Sequence, residues 1–272
     1  MKPEERDLWL SLVVLGAIPW LIFAAAWRGG YRPFGPQRRR ATPWDSSDMA
    51  LLLASLAPQF ALALYKLVSG PEEFEPPQWL VVASAACSLL QFSMPIYLIM
   101  LRGARPYQMG IECSHLGQNV LLGIGSFFLA MPLVSVAFIV AAYFSETRRH
   151  TVEDLLRQSP TIENFVLWGV MVIVVAPVLE ELLFRGILLP GLRRRLKPWP
   201  AMLVGSAIFS LLHVDAWPAP VPLFVLAIFL SYLWYRTNSL VPSIVLHAVF
   251  NGANLLPLIW MLKNGTPGDG PD

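Results

Sequence analysis

What most constrains this chain is a succession of long apolar runs separated by short polar ones. A helix that crosses a bilayer needs about 20 mostly apolar residues, at 1.5 Å each, to cover roughly 30 Å of hydrocarbon. Segments 8–27, 48–69, 79–101, 116–144, 162–192, 199–214, 221–235 and 240–262 meet or approach that length. The sixth and seventh are short, and Pro218, Pro220 and Pro222 cluster where they join. Proline fixes φ and has no N–H to donate, so the helix must break there. The expected fold is all-α: a polytopic helical membrane protein of about eight transmembrane helices, or seven if the short pair is re-entrant.

Composition points the same way. The 272 residues are 56% hydrophobic and 14% charged, where soluble globular chains average about 45–50% and roughly 25%. That balance argues against a soluble enzyme and excludes disorder, which needs low hydrophobicity and high charge. Two cysteines cannot build a disulfide framework. A net charge of +2 is too balanced for a nucleic-acid binder. Ten Trp and 24 Pro suit a membrane protein, where Trp lines the interfaces and Pro is tolerated within spans.

The first run, 8–27, is read as a retained helix rather than a signal peptide. Lys2 and Arg6 before it are offset by Glu4, Glu5 and Asp7, and a signal peptide wants a positive leading region. Alternating the spans places twelve Lys and Arg on one side and six on the other, leaving out Lys66 and Arg185 within spans. The richer side is expected to be cytoplasmic, with both termini on the far side. The chain divides into a membrane region 1–161 with no assigned role, a membrane core 162–262 and a disordered tail 263–272. Segment 146–161 is partly amphipathic, through Val152, Leu155 and Leu156, and is expected to lie on the membrane surface. No internal repeat of the kind that builds transporters stands out.

A charged side chain in mid-membrane costs at least about 2.5–3.5 kcal/mol, so such residues are rare and usually functional. Glu180 and Glu181 lie in an apolar run, about 12 residues or roughly 18 Å from its Arg-rich end. Glu181 and Arg185 are spaced i,i+4 and should meet on one helix face. Glu180 points about 100° away and is left to be explained. His213 lies at a comparable depth near the end of the sixth run. His247 and Asn251 are again spaced i,i+4, on the eighth. Each feature alone has a bland reading, as an ion pair or as interhelical hydrogen-bond glue. Together they place carboxylate, imidazole and amide groups in one layer, an inventory that can activate water and stabilise an oxyanion. The same inventory could bind zinc. His115 and His150 fall in loops and read as surface residues.

Glu180-Glu181-x-x-x-Arg185, Phe209-x-x-x-His213 and His247-x-x-x-Asn251 resemble the three ordered motifs of the type II CAAX prenyl endopeptidase family, also called the CPBP or ABI family of intramembrane proteases. The resemblance implies a helical bundle with a polar cavity opening toward the cytoplasm; separately, the lack of long tails and loops is compatible with a bacterial inner membrane. The resemblance also implies peptide-bond hydrolysis of a peptide or protein substrate, prenylated or membrane-bound. By motif position it makes Glu180 the general base and His213 its partner on the catalytic water. His247 and Asn251 would stabilise the oxyanion, and Arg185 would hold Glu181. The family has been described both as metal-dependent and as glutamate-type, and the residues leave this open. Glu180, His213 and His247 could supply three zinc ligands, although the HExxH signature is absent. Two other readings remain: an inactive relative serving as a bacteriocin self-immunity or scaffold protein, and a small proton-coupled transporter.

Overall fold

The computed structural model describes residues 16–22, 24, 25, 28, 41–69, 76–112, 114–144 and 151–264. Its long helices are α1 (Ser46–Ser69), α2 (Gln78–Arg102) and α3 (Leu116–Tyr143), then the short α4 (Thr151–Gln158). After these come α5 (Ile162–Leu192), α6 (Pro198–Leu211), α7 (Pro220–Thr237) and α8 (Val241–Asn264). All but α4 and α6 are long and apolar enough to cross a membrane. No strand occurs among the described residues. This is a polytopic all-α membrane protein. The run at 8–27 and the tail at 263–272 lie largely outside the described residues. Lys263 is the last-turn cation of α8.

The helices bury little of their apolar surface. Leu53, Leu89, Leu121 and Val166 all face outward, which is the arrangement a lipid solvent permits and water does not. Inside, polar side chains join neighbouring helices, as expected where lipid supplies no hydrophobic drive between them. Gln91 Nε2 donates to the Ser55 carbonyl at 2.8 Å, and Gln59 Nε2 donates to the Ser84 carbonyl at 3.0 Å, tying α2 to α1. On the other side of the bundle α3 lies against α7 and α8. Gly123 makes the α3–α8 approach possible, because a Cβ there would come within 2.7 Å of the Pro242 carbonyl oxygen.

One end of the bundle is fastened by charge. Asp45 opens α1, its carboxylate accepting from the Ser47 hydroxyl and backbone N–H, and these bonds hold the carboxyl below its usual range. Arg102, closing α2, donates twice to buried Asp48 at 2.8 and 2.9 Å, and Tyr97 donates to the same oxygen. From the end of α5, Arg194 donates to the Trp44 carbonyl and Arg195 donates to the Ser46 hydroxyl at 2.7 Å. The α1 start and the α2 and α5 ends therefore share one side, as alternate crossing requires.

Two sequence expectations change in detail. Hydropathy carries the sixth run to residue 214, but α6 stops at Leu211 and His213 sits in the following turn. Here the His213 N–H bonds the Ser210 carbonyl at 3.0 Å, and its imidazole Nδ1 meets the Phe209 carbonyl at 3.1 Å. Both satisfy carbonyls that a helix end leaves unpaired. Pro220 and Pro222 then fall in the first turn of α7, where a missing N–H costs nothing. In segment 146–161 the described part is α4. Its Val152 and Leu156 pack into an apolar cluster with Phe165 of α5 and Leu255 of α8, so that face is covered by protein.

Candidate active site

Local helix geometry positions the site. In α5, Met171–Val175 and Leu182–Leu188 are π-helical, and each stretch ends two residues before a proline, Pro177 and Pro190. The Ala176 N–H reaches back five residues to the Met171 carbonyl, and the Leu189 N–H does the same to Phe184. The next donor in that shifted ladder is a proline, which has none. At the first π stretch this deprives the Val172 carbonyl: its α-type donor, Ala176, is diverted, and its π-type donor would be Pro177. Asn251 of α8 supplies the missing bond, with Nδ2 donating to Val172 at 2.8 Å. π-helical turns of this kind concentrate at functional sites, and here the two flank Glu180 and Glu181.

The second carboxylate is wholly enclosed. Glu181 is 0% exposed, and its Oε1 accepts from Arg185 Nη1 at 2.8 Å and from His247 Nδ1 at 2.9 Å. Arg185, 1% exposed, also donates to the Ala227 carbonyl of α7 at 3.3 Å. Its guanidinium lies 4.6 Å from the centroid of the Phe209 ring, a cation–π contact strengthened by the absence of water. Phe209 in turn contacts both imidazoles, His213 at 5.2 Å and His247 at 5.8 Å between ring centroids.

Glu180 differs from its neighbour. Its side chain is 31% exposed, and its Oε2 lies 3.8 Å from Nε2 of His247. That separation is too long for a hydrogen bond, and among the described residues no other group donates to this oxygen. His247 therefore stands between the two carboxylates, bonded to one and facing the other. With Nδ1 donating to Glu181, its tautomer is set by a carboxylate. His213 likewise donates from Nδ1 to a carbonyl, which leaves Nε2 as an acceptor when the ring is neutral.

The structure thus brings Glu180, Glu181, Arg185 and His247 into one connected group. It links His213 to that group through Phe209 and commits one Asn251 proton to the α5 backbone. Residue spacing alone reveals the Glu181–Arg185 pair and the diverging Glu180. It does not reveal the Glu181–His247 bond or the roles of the Val172 and Ala227 carbonyls. Pro177 and Pro190 inside one apolar run are the available signal, since each withdraws a donor from the helix ladder.

The zinc set does not assemble. Among the described residues no group of three His, Cys, Asp or Glu side chains is placed to hold a metal ion. Of the expected ligands, Glu180 and His247 approach each other at 3.8 Å, and both His213 and His247 lie against the ring of Phe209.

Comparison with known proteins locates the site within a family. The family described as "Type II CAAX prenyl endopeptidase Rce1-like" matches residues 162–253. Glu180, Glu181, Arg185, His213, His247 and Asn251 all fall inside the matched segment, which is that of a membrane protease family. The chain is 27% identical over 133 residues to "UPF0177 protein YxdF" of Lactococcus lactis subsp. lactis (strain IL1403), covering 48% of this chain and 71% of that protein. It is 25% identical over 137 residues to "Putative membrane peptidase YdiL" of Bacillus subtilis (strain 168), covering 50% of this chain and 54% of that one. The chain therefore spans about half the length of the second relative. No solved structure matches it.

Proposed function

We propose that the protein is an intramembrane endopeptidase that hydrolyses a peptide bond with a water activated by Glu180. The observation that carries this reading is the contrast between two adjacent carboxylates: Glu181 is sealed in an ion pair, whereas Glu180 is partly open. A base must reach water, and of the two only Glu180 is exposed.

In this reading Glu180 takes a proton from water as the water oxygen attacks the substrate carbonyl carbon. Nε2 of His213 accepts the second hydrogen of that water and orients it. The carbonyl oxygen becomes an oxyanion, stabilised by the second N–H of the Asn251 amide and by Nε2–H of His247, which carries that proton only as an imidazolium because Nδ1–H is given to Glu181. Glu180 then delivers its proton to the leaving nitrogen as the C–N bond breaks. Glu181 and Arg185 hold His247 in place. The 3.8 Å gap between Glu180 and His247 suits a site without substrate, since catalytic contacts often tighten only in the complex. The substrate is a peptide or protein at the membrane, prenylated or otherwise membrane-bound. The site opens toward the Lys/Arg-rich, cytoplasmic side of a bacterial inner membrane.

The test is cleavage of an internally quenched peptide panel by the purified protein in lipid bilayers, run in ¹⁸O-water. The reading expects a new C-terminal carboxylate carrying one solvent oxygen. A protein that binds panel peptides yet yields no such product would contradict it.

A further inference from the structure

Lys66 stands in the last turn of α1, outside the family segment, where a cation at the end of an apolar run calls for an explanation. Its Nζ lies 3.6 Å from Asp215 Oδ2, and the two side chains are 16% and 17% exposed. Asp215 belongs to the short turn Val214–Ala216 that immediately follows His213. That turn lies against α1. Val214 and Ala216 are buried, and the Ala216 N–H donates to the His213 carbonyl at 3.1 Å. His213 is therefore held from both sides, by the end of its own helix and by a turn fastened to α1.

Helix lengths explain why a lysine makes this contact. The 14 residues of α6 rise roughly 21 Å, whereas Lys66 lies about 30 Å along α1 from Ser46. Side chains on a helix slant toward its N-terminus, so the lysine stem leans back along α1 toward the shorter helix. An ion pair shielded to this degree is screened less by solvent than one on an open surface.

We infer that Lys66 and Asp215 are positioning residues: their ion pair fixes the 214–216 turn against α1 and so sets where Nε2 of His213 stands at the catalytic water. The inference rests on the role given to His213 above. It assigns the region before residue 162 a part in a site whose other groups all lie after it.

The experiment combines two readouts on the full-length protein. Imidazole ¹⁵N spectra of histidine-labelled protein in micelles, assigned against His213→Gln, report the His213 tautomer without reference to activity. Initial rates on a cleaved panel peptide report kcat and KM. In Lys66→Gln and Asp215→Asn the Nδ1-protonated signal of His213 should give way to an exchange average. kcat should fall by about 10- to 100-fold, the scale of a catalytic group displaced by about an ångström, with KM changed less than about twofold. Lys66→Arg, and the reversal Lys66→Asp with Asp215→Lys, should restore both readouts, and they carry the comparison if the neutral variants fail to fold. An unchanged His213 signal and kcat in Lys66→Gln overturns the inference, as does a folded Lys66→Arg that remains as impaired as the neutral variants. If the wild type cleaves no peptide while the His213 signal still follows the pair, the endopeptidase reading fails and the positioning of His213 stands.

Discussion

At the scale of single residues, Glu181 and Arg185 form a unit that cannot be half removed. Glu181→Gln keeps an oxygen that can accept from Arg185 but removes the charge that balances its guanidinium in a dry interior. Breaking a buried pair this way costs about 3–5 kcal/mol, so the variant should lose stability and activity together. Thermal melting in detergent, read beside peptide cleavage, checks this; loss of activity with an unchanged melting temperature would show Glu181 acting chemically instead. Metal removal is a second test at this scale. Because Glu180, His213 and His247 do not converge as three ligands, protein stripped by a chelator and verified metal-free should keep its wild-type rate. A rate that falls with metal content and returns with zinc would contradict this.

At the scale of elements, the bond from Asn251 to Val172 gives that asparagine a structural task beside its proposed catalytic one. Asn251→Ala should lower kcat by about 10²–10³ if an oxyanion donor is lost. It should also cost about 1–3 kcal/mol, because the Val172 carbonyl is left without a donor. Pro177→Ala restores a backbone N–H near Val172, so in that background the stability cost of Asn251→Ala should shrink while the rate loss persists. Melting temperatures and initial rates for both singles and the double variant separate the two tasks; strictly additive stability losses would show that Pro177 and Asn251 are not coupled. This coupling also marks the limit of what could be read in advance. Hydropathy locates α5 at 162–192 to the residue, and i,i+4 spacing finds Glu181 beside Arg185, because both depend on local periodicity. The π turns, the end of α6 before His213 and the bond from His247 to Glu181 depend on which donors prolines remove and on partners 66 or 79 residues away in sequence. No single-sequence period encodes those distances.

At the scale of the whole molecule, the family segment is not a self-contained body. α3, which precedes it, packs against α7 and α8, and Arg194 and Arg195 of the α5 end fasten to the start of α1. A chain beginning at residue 151 should therefore fail to reach a folded, monodisperse state in detergent; a well-folded fragment would show that the N-terminal helices are dispensable. Orientation follows from the same frame. A reporter fused at Arg194 should read as cytoplasmic and one at Asp269 as the far side, and the reverse pattern would place the open face of Glu180 outside the cell. The central claim is narrower than either: of two adjacent glutamates, the partly exposed one activates water. Glu180→Gln keeps the shape and removes only the ability to take a proton. The most direct measurement is the initial rate of peptide cleavage by this variant, beside its melting temperature, against wild type. The account predicts a melting temperature close to wild type and no detectable cleavage. A folded Glu180→Gln that cleaves at the wild-type rate would contradict it.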